Sequence, residues 1–232
     1  MRKGDAKRKA ILDTAQRLFY QKGFEQTSVQ DILNVLKCSK GSFYHHFESK
    51  LSVLETLCAR RAQEAAEQAK NAAASCQTPM DKINALSYYL MPLRKGEERF
   101  MSLLLPLSAT KEGVSLSYQY ALALSDSFGP LWDKAIHEAM EQEICFPVKR
   151  TGVSPIVITL LNQCWQLAAQ QVMGRIGCLE PMEPGELLPL LDVYRGAIER
   201  LLDAPFGSLE IINLNELCQV CTQVMNKLRM EI

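Results

Sequence analysis

Histidine is scarce in this 232-residue chain, which has three, two of them adjacent at positions 45 and 46. The third, His137, stands alone, so no Ser-His-Asp order and no metal-ligand cluster can be assembled around it. A Gly-rich phosphate loop is also missing. These absences leave an enzyme as the least supported class, and neither a cofactor nor a metal is expected. Long apolar runs are missing too. None approaches the roughly 20 residues that span a bilayer. The start, Met1-Arg2-Lys3-Gly4-Asp5, is basic and is not followed by the hydrophobic stretch of a secretory signal. The chain is therefore expected in the cytoplasm, with no membrane partner. There is no convincing strand alternation, no internal repeat and no low-complexity tract. Eight cysteines are scattered through helical patterns, and in a reducing compartment they are expected to be free, small apolar residues. Cys218-x-x-Cys221 offers two of the four ligands zinc needs and is read as structural.

Net charge is zero over the whole chain, but the zero hides a split. Residues 1–61 carry 12 Lys/Arg against 6 Asp/Glu, and residues 62–232 carry 14 against 20. A basic end suits phosphate binding, and an acidic remainder keeps the rest of the protein off nucleic acid. With 47% hydrophobic residues the chain can bury a real core. The periodicity is helical almost throughout. Ile11, Leu12, Ala15, Leu18 and Phe19 form the stripe of a first helix, stopped by Gly23. Ser49 opens a long helix to about Cys76. Thr78-Pro79 starts another, reaching about Met91. Helices follow near 97–108, 115–145, 154–176 and 185–204, and Ser208 is expected to cap a last one. The expected fold is all-α with about ten helices: a three-helix head over residues 1–50 and a larger helical body over 51–232.

Residues Gly23 to Phe47 are the most informative stretch. Thr27 can cap a short helix carrying Val29, Ile32 and Leu33 on its apolar face. A turn runs through Leu36-Lys37-Cys38, and Ser39 can cap a second short helix beginning Lys40-Gly41-Ser42-Phe43-Tyr44. Two short helices joined by a tight turn make a helix-turn-helix, whose second helix fits the DNA major groove. The signature runs Phe19-x-x-x-Gly23-Phe24, Thr27-Ser28-Val29-x-x-Ile32, Ser39 through Phe47, then Ser49-Lys50. On these motifs residues 6–56 resemble the DNA-binding end of the TetR/AcrR family of bacterial transcriptional regulators. Lys37 stands where that family commonly has glycine, so it must accept the backbone angles of the turn, a left-handed pair included. Lys40 and Ser42 project from the first turn of the recognition helix, where Lys can donate to guanine and Ser can serve either base type. Gly41 lets the backbone approach the groove closely. The resemblance adds Ser28, Ser39 and Phe43 as further contacts, Phe43 being equally suited to the core. It assigns Tyr44, His45 and Lys50 to phosphates. Thr27 suits a plain cap or a phosphate contact.

The resemblance implies double-stranded DNA with a palindromic operator as partner, a homodimer, and a small-molecule effector of unidentified structure, hydrophobic or aromatic, that releases a repressor from its operator. The dimer surface it implies lies on the helices near 154–176 and 185–204, through Val157, Leu160, Leu161, Cys164, Ala168, Leu187, Leu191, Tyr194 and Ile198. The first of these helices is apolar around most of its circumference and so has to be covered on two sides. An effector pocket inside the body could be lined by Met91, Phe100, Met101, Leu104, Tyr118, Tyr120, Leu124, Trp132 and Trp165. The same residues are read first as ordinary core. The alternative function is a DNA-binding or scaffolding protein of this fold that takes no effector.

Overall fold

The structure, a computed structural model, describes residues 3–91, 93–107, 110–145, 160, 163, 167, 184–210 and 213–230. Among these residues the protein is all-helical, with no strand. The helices are α1 (Lys3–Lys22), α2 (Val29–Leu36), α3 (Lys40–Tyr44), α4 (Lys50–Ala74), α5 (Pro79–Leu90) and α6 (Glu98–Leu104). A 3-10 turn (Leu105–Leu107) follows, then α7 (Lys111–Glu141), α8 (Pro184–Leu202) and α9 (Leu214–Met230). The helix expected near 154–176 lies outside the described residues except at Leu160, Gln163 and Leu167, which are helical and exposed.

The first four helices pack as the sequence pattern requires. Ile11, Leu12, Ala15, Leu18 and Phe19 are all buried. They meet Phe24, Ile32, Leu33, Phe43 and Phe47 in one core with the first turns of α4. Gly23 stops α1 at φ +79°, where only glycine sits without strain, and its N–H donates to the Phe19 carbonyl at 2.9 Å. The start of α2 corrects one expectation. Its cap is Ser28, not Thr27: the Ser28 hydroxyl accepts from Asp31 N–H at 3.1 Å, while Asp31 Oδ2 accepts from Ser28 N–H at 2.7 Å. That reciprocal pair is a capping box. Thr27 is fully buried, and its hydroxyl donates to the Gly23 carbonyl at 2.7 Å.

Helix α4 is 25 residues long, about 37 Å at 1.5 Å per residue. It packs against α1 near its start and against α5 and α7 further along. Ala62, Ala65, Ala66 and Ala69 are buried on it, and small side chains let α5 and α7 approach its axis closely. Trp132, Phe128 and Ile136 of α7 fill the space against Ile83 and Leu86 of α5. Pro130 is accommodated inside α7, and Pro106 falls in the 3-10 turn rather than in a regular helix. The last helix corrects another expectation. Ser208 lies in the loop before it, and the cap is Asn213, whose Oδ1 accepts from Asn215 N–H at 2.9 Å and Glu216 N–H at 3.3 Å.

One buried ionic cluster joins α4 to the turn before α6. Glu97 is 3% exposed. Arg61 of α4 grips it with two nitrogens, Nε to Oε2 at 2.7 Å and Nη2 to Oε1. Arg94 reaches Oε1 at 2.8 Å, bonds Gln68 of α4 at 3.1 Å and lies over the Tyr89 ring. Burial works against the charge on Arg61, but its bonds to Glu97 outweigh burial and raise its pKa above the ordinary value.

Glu97→Ala leaves two arginines facing a low-polarity interior, so it should cost about 3–5 kcal/mol in denaturant unfolding. Asp13→Ala, which removes only exposed pairs, should cost under about 1 kcal/mol. Equal effects would show that the cluster is not the tie described. The α2 cap predicts a pH effect as well. The Lys22 ammonium, then the Ser28 donors, hold Asp31 well below the usual carboxylate range. A lowered folded-state pKa means stability present above about pH 4, the unfolded value, and lost as pH falls further. Asp31→Asn should therefore flatten the acid limb of a stability–pH curve below about pH 4, read by circular dichroism.

Candidate nucleic-acid interface

Helix α3 has five residues, and its geometry comes from its two ends. Ser39 takes extended backbone angles and its hydroxyl accepts from Ser42 N–H at 3.3 Å. The preceding turn passes through Lys37 in the left-handed region, φ 48° and ψ 49°, where it ends α2 by donating to the Leu33 carbonyl. The turn demanded by the helix-turn-helix thus forms without glycine, at a local cost of about 1–2 kcal/mol. Phe43 pins α3 to the core: it is wholly buried, with the Phe47 and Tyr44 rings 6.0 and 5.4 Å from its own.

With Phe43 inward, the outward face of α3 is fixed. Ser39, Lys40, Gly41, Tyr44 and His45 are exposed, and Ser42 is half-buried. Ser28, at the start of α2, is exposed beside them in the chain's basic end. A Cβ built on Gly41 meets nothing within 4 Å. The fold itself therefore has no need of glycine there. Lys37 is exposed at the turn, a cation that the sequence pattern marks only for its backbone.

Three expected contacts are placed differently. Phe43 is core and offers no ring to a base. Thr27 is buried with its hydroxyl turned to Gly23, away from the surface. Lys50 is half-buried: its ammonium donates to the Phe24 carbonyl at 2.7 Å and the Glu25 carbonyl at 3.4 Å, and sits 4.1 Å from the Phe24 ring centre. Burial lowers its pKa. Lys50 thus fastens the first turn of α4 to the loop between α1 and α2. The motif Ser28-x-x-Asp31 was the signal that could have located the true cap.

Of the residues expected around an effector, Met91, Phe100, Met101, Leu124 and Trp132 are buried and Leu104 is half-buried. Tyr120 is partly buried with its ring 5.5 Å from Phe100, and burial raises its pKa. Tyr118 is 63% exposed, which removes it from any internal lining, and Trp165 lies outside the described residues. Of the expected dimer residues, Val157, Leu161, Cys164 and Ala168 lie outside the described residues, as does the Leu187 side chain. Leu160 is exposed and Tyr194 half-buried, but Leu191 and Ile198 are wholly buried within the single chain. Those two already serve the chain's own core, which corrects their assignment to a subunit surface. Of the described cysteines, Cys58 and Cys221 are pushed up to about 12 and Cys145 to about 11 by burial, which leaves their thiols protonated and inert.

Comparison with known proteins fits this geometry. The profile of the bacterial regulatory proteins of the tetR family matches residues 11–57, which contain α2, α3 and the start of α4. Over 48 residues the chain is 52% identical to the HTH-type transcriptional regulator YuxN of Bacillus subtilis, covering 21% of this chain and 16% of YuxN. Over 45 residues it is 42% identical to IcaR of Staphylococcus aureus, a negative transcriptional regulator of a biofilm operon, covering 19% of this chain and 24% of IcaR. The chain thus aligns with less than a quarter of the length of these curated relatives. Across the whole length, the solved structure of RolR with resorcinol superposes with a TM-score of 0.58, covering 95% of both chains at 12% identity, a likeness of fold alone. Residues 11–57 thus match the DNA-binding region of the tetR family of bacterial regulatory proteins, and the chain as a whole shares the fold of RolR.

Proposed function

We propose that the protein is a dimeric, non-enzymatic repressor in the cytoplasm, whose α3 reads a palindromic DNA operator and whose body takes a small hydrophobic or aromatic effector. The observation that carries the DNA reading is the outward face of α3, with Lys40, Gly41 and Ser42 projecting from a helix pinned by a buried Phe43. Lys40 and Ser42 read base edges, while Tyr44, His45 and the exposed Lys37 meet phosphates and set register. Repression accords with IcaR, the relative described as a negative regulator. Dimerisation is supported by Leu160 and Leu167, helical residues that are 40% and 49% exposed. The effector reading is supported by RolR, solved with resorcinol. Within this chain, Trp132 supports it: its indole N–H is buried without an acceptor, a cost that a ligand oxygen would relieve.

Lys40→Ala should narrow the gap between specific and random DNA, by about 1–3 kcal/mol at the base it reads. Tyr44→Phe should weaken binding to both kinds of DNA alike. Lys50→Ala should lower thermal stability as well as affinity, because its ammonium ties α4 to the loop. Equal loss on both DNAs for all three, with unchanged stability, would contradict these roles. Gly41→Ala provides the sharpest contrast. Inside a helix, alanine is favoured over glycine by up to about 1 kcal/mol, so the variant should be at least as stable as wild type yet bind DNA more weakly. Unchanged DNA affinity, measured by fluorescence anisotropy, would show that the backbone at Gly41 does not approach the groove.

A further inference from the structure

The basic end of the chain holds two kinds of cation. Lys9 pairs with Asp13 at 2.7 Å, Lys22 with Asp31 at 2.8 Å, Arg60 with Asp13 at 2.7 Å and Arg61 with Glu97. Lys50 is committed to two backbone carbonyls. These cations tie elements of the fold together. Among the described residues, Lys7, Arg8, Arg17, Lys37 and Lys40 enter no ion pair. Lys37 and Lys40 flank the entry to α3. Lys7 and Arg8 stand at the start of α1, where Asp5 is the acidic residue of the first turn. Arg8 is exposed yet held in place. Its guanidinium lies 5.0 Å from the centre of the Phe47 ring, and Nη2 donates to the Thr56 hydroxyl oxygen at 3.5 Å. The Phe47 ring is in turn 6.0 Å from Phe43, the anchor of α3. The start of α1 therefore abuts the end of α3, and Arg8 has committed one of its five N–H donors.

We infer that the start of α1 is a second DNA-contacting surface, on which Lys7 and Arg8 bind backbone phosphates flanking the half-site that α3 reads. The inference rests on the DNA reading proposed above. A cation paired with a carboxylate gains little from a phosphate, because the old bond must be broken first; an unpaired one gains the full contact. The planar fork of Arg8 matches a phosphate, and its seat on Phe47 limits the freedom it loses on binding. Such contacts fix register and add affinity without reading sequence. Arg17 provides an internal control. It is exposed and equally unpaired, but nine residues beyond Arg8 at about 100° per residue puts it about 180° round α1, away from α3.

The test is the salt dependence of binding by the full-length protein to a random-sequence duplex, read by fluorescence anisotropy. Lys7→Ala and Arg8→Ala should each flatten the plot of log affinity against log salt by about 0.9 per chain bound, the value of one phosphate contact. Arg17→Ala should leave the slope unchanged, and Arg8→Lys should restore most of it. Arg8→Ala also removes a contact with Phe47, so thermal melts accompany each variant, and Lys7→Ala carries the test if Arg8→Ala fails to fold. On a selected operator, trimming the duplex outside the half-sites should weaken wild type and Lys40→Ala but not the double variant Lys7→Ala with Arg8→Ala. If no operator emerges, the reading by α3 fails, while the slopes on random DNA still decide the role of α1. Unchanged slopes for folded Lys7→Ala and Arg8→Ala would overturn the inference. So would an equal loss for Arg17→Ala, which would make the effect one of net charge. A loss confined to duplexes with A·T-rich flanks would mean base reading in the minor groove and overturn the phosphate assignment.

Discussion

Two adjacent arginines on α4 reach to either side of it, and the buried one of the two ion pairs, Arg61 with Glu97, is the strong tie. Arg60 points to α1, donating to Asp13 at 2.7 Å and to Gln16 at 2.7 Å. Arg61 points the other way round the helix and grips buried Glu97 at the turn before α6. Neighbouring residues on a helix project about 100° apart, so a single turn of α4 is clamped on two sides by charge. Hydrophobic packing is tolerant of sliding, whereas a bidentate guanidinium–carboxylate bond fixes angle and distance together. This cluster sits on the stretch of α4 that follows its contact with α1.

The head is small and owes its precision to local devices. A left-handed Lys37, the Ser28–Asp31 capping box and the Ser39 cap fix α2 and α3 within a few residues. Lys22 reaches Asp31 at 2.8 Å, so the end of α1 is bonded to the start of α2. Lys50 bonds the start of α4 to the intervening loop. Four short segments are thereby locked at their ends, and α3 can present a face of exposed small and basic residues without a large core beneath it. Phe43 supplies the one inward anchor that five residues can offer.

Much of this was legible in the sequence, because helical periodicity and caps are local signals. The α1 stripe, the Gly23 stop, the Ser39 and Ser49 caps and the Thr78-Pro79 start all stand where the pattern puts them. Sequence and structure differ where two residues of one loop suit the same role. Thr27 and Ser28 both suit a cap, and only packing decides that Thr27 turns inward. Ser208 and Asn213 compete likewise before α9. Side-chain partners across the fold were not legible at all. Nothing local to Arg61 points to Glu97, 36 residues away, and nothing in Lys50 points to the Phe24 carbonyl. Leu191 and Tyr118 show the same limit: an apolar residue on a helix does not say whether its face meets the chain's own core or the outside.

Whether α3 reads DNA in a two-fold pair is tested most directly by selecting duplexes from a random pool with the full-length protein and footprinting the enriched sequence. The account predicts an inverted repeat whose half-site centres lie about one helical turn apart, roughly 34 Å or 10 base pairs, or a whole multiple of it. Enrichment of a single unrepeated site, or of no sequence at all, would contradict it.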